Sequence, residues 1–107
     1  MIYELRSYEI VPGRMPAMYA RFQNHTLGIF RRLGIEVVGF WEAIIGTSNV
    51  LRYVVRFDDL GHRERALAAF GADPEWQRVR AESERDGPIV ARIRNEIWRP
   101  ALYSPMQ

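Results

Sequence analysis

Hydrophobic and polar positions alternate with a period of two in four stretches of the chain and recur every three or four residues in three others. Each change of period falls at a turn residue. Alternation is strict over Val50–Phe57, where Leu51, Tyr53, Val55 and Phe57 share one face and Val50, Arg52, Val54 and Arg56 the other. The run before it, Val37–Ile45, is as rich in β-formers but apolar on both sides, with Glu42 its only charge. Gly46-Thr47-Ser48-Asn49 separates the two runs with small, locally hydrogen-bonding side chains, so the pair reads as a β-hairpin. A strand buried on one face carries polar residues on the other. One that is apolar on both calls for cover on both, by helices of its own chain and by a second subunit.

The remaining elements follow from the same rule. Ile2–Val11 is a strand with Tyr3 and Leu5 on one face and Ile2, Glu4, Arg6, Tyr8 and Ile10 on the other; it ends at Pro12-Gly13. A helix runs from about Met15 to Leu33, with Met15, Met18, Phe22, Ile29 and Phe30 on one side, Pro16 tolerated in its first turn and Gly34 ending it. Asp58-Asp59 start a second helix that Leu60, Ala66, Leu67 and Phe70 dock and Gly71 closes. Asp73-Pro74 start a third, charged and superficial, reaching Arg85; after Gly87-Pro88 the last strand spans Ile89–Arg99, and Pro100 and Pro105 mark an extended tail. The order strand, helix, strand, strand, helix, strand predicts a ferredoxin-like α+β domain over residues 1–107, a four-stranded antiparallel sheet with helices on one face. Two such sheets packed face to face, as in the dimeric α+β barrels, would cover both sides of Val37–Ile45.

Composition narrows the chemistry. Hydrophobic residues make up 48% and charged residues 26%, the balance of a soluble globular domain. There is no cysteine, which removes thiol chemistry and cysteine-held metals. All 15 basic residues are arginine, which removes lysine nucleophiles and Schiff bases. The net charge is only +2 and the arginines are spread among 13 acids, so nucleic acid is not an expected partner. No apolar run reaches membrane-spanning length and the chain opens directly into a strand, which places the expected protein in the cytoplasm. Phosphate loops, nucleophile elbows and dinucleotide fingerprints are missing, and two separated histidines do not make a metal site, so no cofactor or metal is expected.

Several short motifs, in order, resemble the NIPSNAP family. They are Tyr3-Glu4-Leu5-Arg6 running into Pro12-Gly13, Gly39-Phe40-Trp41 with a Gly-x-x-Asn turn at Gly46–Asn49, Asp58-Asp59-Leu60 with Arg63-Glu64, Asp73-Pro74-Glu75-Trp76, and the tail Arg99-Pro100 with Ser104-Pro105. The resemblance implies a dimeric α+β barrel. It also implies little chemistry: animal members are longer, mitochondrial and discussed as adaptors, whereas this chain resembles a stand-alone bacterial member. The wider superfamily holds cofactor-free monooxygenases, haem-degrading enzymes and lactone isomerases, and function does not follow from fold.

His25 falls at the edge of the first helix's apolar side. It is the candidate general acid/base, pointing between helix and sheet, or else a core-edge histidine. With an odd-length hairpin loop, Trp41 shares a face with Tyr53 and Glu42 lies opposite Arg52 and Arg56. Trp41, Tyr53 and Tyr3 would then line an aromatic pocket, or pack as core. Arg52 and Arg6 are candidates for holding a substrate carboxylate, or members of an interfacial ion network. The leading expectation is a homodimer binding a small apolar or aromatic metabolite between sheet and helices, with cofactor-free oxygenase or isomerase chemistry within reach. The alternatives are a protein-interaction module with a collapsed core, and a haem protein ligated by His25.

Overall fold

Strand β1 (Ile2–Ile10) lies inside a four-stranded sheet, between β3 (Val50–Phe57) and β4 (Val90–Trp98), with β2 (Glu36–Glu42) beyond β3. All three pairings are antiparallel. The order β2-β3-β1-β4 is the ferredoxin-like arrangement expected from the order of elements. This is a computed structural model describing residues Met1–Gln107.

The first helix comes in three parts: α1 (Met15–Arg21), a π-helical segment (Phe22–Thr26) and α2 (Leu27–Arg32). Pro16 stands in its opening turn. It closes where the Ile35 amide donates to the Phe30 carbonyl across Gly34 at φ +73°, a left-handed position that suits glycine. In the π segment the Leu27 amide reaches back to the Phe22 carbonyl, and the Thr26 hydroxyl donates to the Arg21 carbonyl at 3.2 Å. A π turn holds more residues than an α turn, so each residue advances through a smaller angle. Thr26 therefore joins Phe22 as a buried residue of that segment, and His25, expected to point between helix and sheet, is exposed.

Helix α3 (Leu60–Ala72) is capped by Asp59, which accepts from the His62 amide at 2.7 Å. It runs through Gly71 to Ala72. Asp73 then caps α4 (Pro74–Ser83), accepting from the Trp76 amide at 3.0 Å and from Arg32 at 2.8 Å, which ties α2 to the start of α4. Burial of the side chains of Met18, Phe22 and Phe30 from the first helix against Leu51, Tyr53, Val55 and Phe57 of β3 makes the core. No helix is long and apolar enough to cross a membrane.

A β-bulge in β2 corrects two expectations. Val37 pairs with Val55 but Gly39 with Val54, which leaves Val38 as an extra residue and reverses the alternation beyond it. Phe40 and Glu42 consequently share the helix-covered face with Tyr53 and Leu51, while Trp41 sits opposite Arg52 on the other face, away from Tyr53. The Trp41 ring lies across Gly39, where an added Cβ would stand 2.9 Å from the ring. Glu42 accepts a hydrogen bond from the Tyr19 hydroxyl, and Glu36 pairs with Arg56 in its place. Strand β2 also stops at Glu42: residues 43–49 form an exposed loop in which Ile44 is 100% accessible and Asn49 takes φ 58°.

The helices cover one face of the sheet only. The molecule is 19 Å across its shortest dimension, the thickness of one sheet and one helix layer. The uncovered face carries Leu5, Val54, Trp41 and Trp98, the last two 52% and 43% exposed. Tyr3, on the same face, donates to the Gln107 carbonyl at 3.0 Å, so the tail folds back instead of running on extended.

Candidate functional site

Alternation along β1 places Glu4, Arg6 and Tyr8 on the helix-covered face, between Ile2 and Ile10. Polar groups on a core face need partners. Glu4 is 0% exposed and is the acceptor at the centre of a network. Arg63 of α3 donates to Oε1 at 2.7 Å and to Oε2 at 3.1 Å, Arg6 donates to Oε2 at 2.9 Å, and Asn95 of β4 donates to Oε2 at 2.9 Å. Burial pushes the Glu4 carboxyl up, but the hydrogen bonds from Arg63 and Asn95 and the charges of Arg6 and Arg63 outweigh it and hold the group below its ordinary value.

Beyond Glu4, the Arg6 Nε lies 3.1 Å from the Tyr53 hydroxyl and 3.4 Å from that of Tyr8, and the two hydroxyls are 2.6 Å apart. Burial pushes Tyr53 well above its ordinary value of 10.0, with the neighbouring Tyr8 adding to it and Arg6 opposing it, so the Tyr53 ring stays a neutral donor at neutral pH. The hydrogen count is informative. Two hydroxyls carry two hydrogens, one is used between them, Arg6 accepts none, and one hydroxyl hydrogen is left over.

This network forms part of the wall of a cavity of about 450 Å³ between sheet and helices. The volume falls within the range of small-ligand sites. Thirteen of its 20 lining residues are hydrophobic, including Phe22, Phe30, Phe57 and Phe70. The phenylalanines line the space and leave it open. At the helix side stand Arg21 and Trp76, with Arg80, Glu84 and Arg92 contributing to the polar part of the lining.

Of the residues singled out in the sequence, Arg6 and Tyr53 meet in this cavity. Trp41, Arg52 and Tyr3 lie on the opposite face of the sheet. His25 borders a separate, shallow depression with Asn24 and Glu82, so neither general acid/base action nor haem ligation inside the main cavity fits its position. Glu4, Tyr8 and Arg21 went unassigned to the pocket. For Glu4 and Tyr8 the signal is their place on Arg6's face between two isoleucines; for Arg21 it is the three-residue spacing from Met18 along α1, ahead of the π segment.

One antiparallel sheet, helices on a single face and a cavity between them define an α+β protein of the ferredoxin-like class. The NIPSNAP profile matches residues 3–105, and the chain belongs to the NIPSNAP family. It is 29% identical over 108 residues to Protein NipSnap homolog 1 of Danio rerio, an alignment covering 99% of this chain and 36% of that protein. The chain spans 30% to 36% of the length of the curated relatives it matches. Among solved structures, a NIPSNAP family protein of unknown function from Agrobacterium tumefaciens superposes with a TM-score of 0.86 at 30% identity, covering 100% of this chain and 94% of that one. A proposed antibiotic biosynthesis monooxygenase from Chloroflexus aurantiacus, 14% identical with a TM-score of 0.57 over 94% of each chain, shares the fold alone.

Proposed function

We propose that this NIPSNAP protein is a homodimer that binds a small apolar or aromatic metabolite between sheet and helices, with an oxygen of the ligand accepting from the Tyr8–Tyr53 pair. The leftover hydroxyl hydrogen carries this reading: in a mostly apolar cavity it is a donor, on one ring of the pair or the other, with no protein acceptor. Arg6, behind the pair, adds a positive charge that stabilises negative charge developing on that oxygen. An enolate or phenolate is therefore the species the wall favours, as cofactor-free oxygenation or isomerisation of a carbonyl or phenolic compound would require. Glu4 makes a poor base there, since four donated hydrogen bonds occupy its oxygens. The chemistry this wall supports is accordingly limited to substrates acidic enough to ionise once their oxygen is held.

The test is a calorimetric titration with 2-naphthol and 2-acetylnaphthalene, backed by a thermal-shift panel of aromatic ketones and phenols. Wild type is expected to bind and be stabilised. The double variant Tyr8→Phe/Tyr53→Phe, which removes both hydroxyls, is expected to lose at least tenfold in affinity while keeping its fold, the size of one charge-supported hydrogen bond. No stabilisation across the panel, or equal binding by the variant, would overturn the reading in favour of an interaction module.

A further inference from the structure

The same cavity carries a second polar feature, at Arg21. The residue is 7% exposed, and its guanidinium stacks 5.1 Å from the Trp76 ring. Only Nη1 has protein partners, the Ser83 hydroxyl at 3.2 Å and Glu84 at 3.6 Å. Nε is buried without any acceptor, and Nη2, its neighbour on the same edge of the plane, donates to none. Nε is closed off from any incoming oxygen, so Nη2 is the donor left for a ligand, a charged N–H that a carboxylate accepts as a charge-assisted hydrogen bond.

Charge points the same way. Glu4 is shared between Arg6 and Arg63, and Glu84 between Arg21 and Arg80, so each carboxylate at the cavity serves two guanidiniums. A buried positive charge left half-compensated is costly, and an anion delivered into the cavity would relieve that cost. Inorganic anions do not suit a lining that is mostly aromatic and aliphatic. An acid with an apolar body does.

Building on the metabolite-binding reading above, we infer that the ligand of this cavity is an aromatic or apolar carboxylic acid, its carboxylate held by Nη2 of Arg21 beside Trp76 and its body against the phenylalanine wall.

The experiment uses matched pairs that differ only in charge: 6-hydroxy-2-naphthoate against 6-hydroxy-2-naphthamide, and 4-hydroxybenzoate against 4-hydroxybenzamide, titrated into the full chain by calorimetry. Wild type is expected to bind the acid of at least one pair at least tenfold more tightly than its amide. In Arg21→Met the acid should lose more affinity than the amide, so that the preference falls to about unity, whereas Tyr8→Phe/Tyr53→Phe should weaken acid and amide alike and keep their ratio. Amides binding as tightly as acids to wild type would overturn the assignment of an acid and leave the metabolite-binding reading standing. Failure of both members of both pairs would overturn both. Because the ratio in wild type alone decides the question, the outcome survives an Arg21→Met protein that does not fold.

Discussion

Glu4 shows how much one residue can commit a small domain to. Removing its charge leaves Arg6 and Arg63 facing each other across a closed space, and breaking a buried ion pair from one side costs about 3–5 kcal/mol. Glu4→Gln is expected to lower the unfolding free energy by that order in urea titrations at pH 7. The network also sets the acid limb of stability. Since the folded carboxyl sits below its ordinary value of 4.5, the unfolded chain takes up the proton first as pH falls. The stabilisation is thus complete above about pH 4.5 and drains away below it. Circular dichroism melts between pH 7 and pH 3 should show this drop in wild type and a shallower one in Glu4→Gln. Tyr53 works in the other direction: its raised value means the ring must stay protonated, so stability is held below about pH 10 and lost above it.

At the scale of elements, two irregularities decide what reaches the cavity. The extra residue at Val38 turns Trp41 away and Phe40 inward, and the π segment turns His25 away and Thr26 inward. Both are single-residue offsets, and a strand or helix pattern read at ideal periods is reversed or rotated by either. Two glycines of the first helix separate backbone demands from packing. Gly34 has φ +73° with open space around the missing Cβ, so Gly34→Ala should cost about 1–2 kcal/mol through backbone strain alone. Gly28, within α2 and equally uncrowded, has no such conformation to protect. Gly28→Ala should add about 1 kcal/mol. Chemical denaturation of the pair gives opposite shifts in midpoint if the helix ends where described.

The whole molecule is a two-layer slab whose bare face holds two tryptophans beside Leu5 and Val54. Apolar patches of that kind on a small domain mark contact surfaces. Light scattering at micromolar concentration should give about 25 kDa, twice the 12.5 kDa of the chain. Val54→Arg, at the middle of β3 on that face, should halve the mass while leaving the cavity side of the sheet intact. A 12.5 kDa wild-type species would remove the homodimer from the proposal.

What the chain determined locally was legible in it. Periods, caps and turn residues act within a few positions, so the order of strands and helices, the two Asp caps and the glycine ending the first helix could all be read directly. The alternation of β1 even put Glu4, Arg6 and Tyr8 on one face. Their partners could not be read, because Arg63 lies 59 residues from Glu4 and Asn95 lies 91, and the sheet and α3 alone bring them together. The same holds for Tyr8 and Tyr53, 45 residues apart and joined by the register of β1 on β3. Register, bulge and π turn are settled by which side chains find room and hydrogen bonds in the assembled core, a non-local minimisation that no window of sequence contains. The tertiary structure therefore decided the contents of the cavity, and with them the chemistry it can hold.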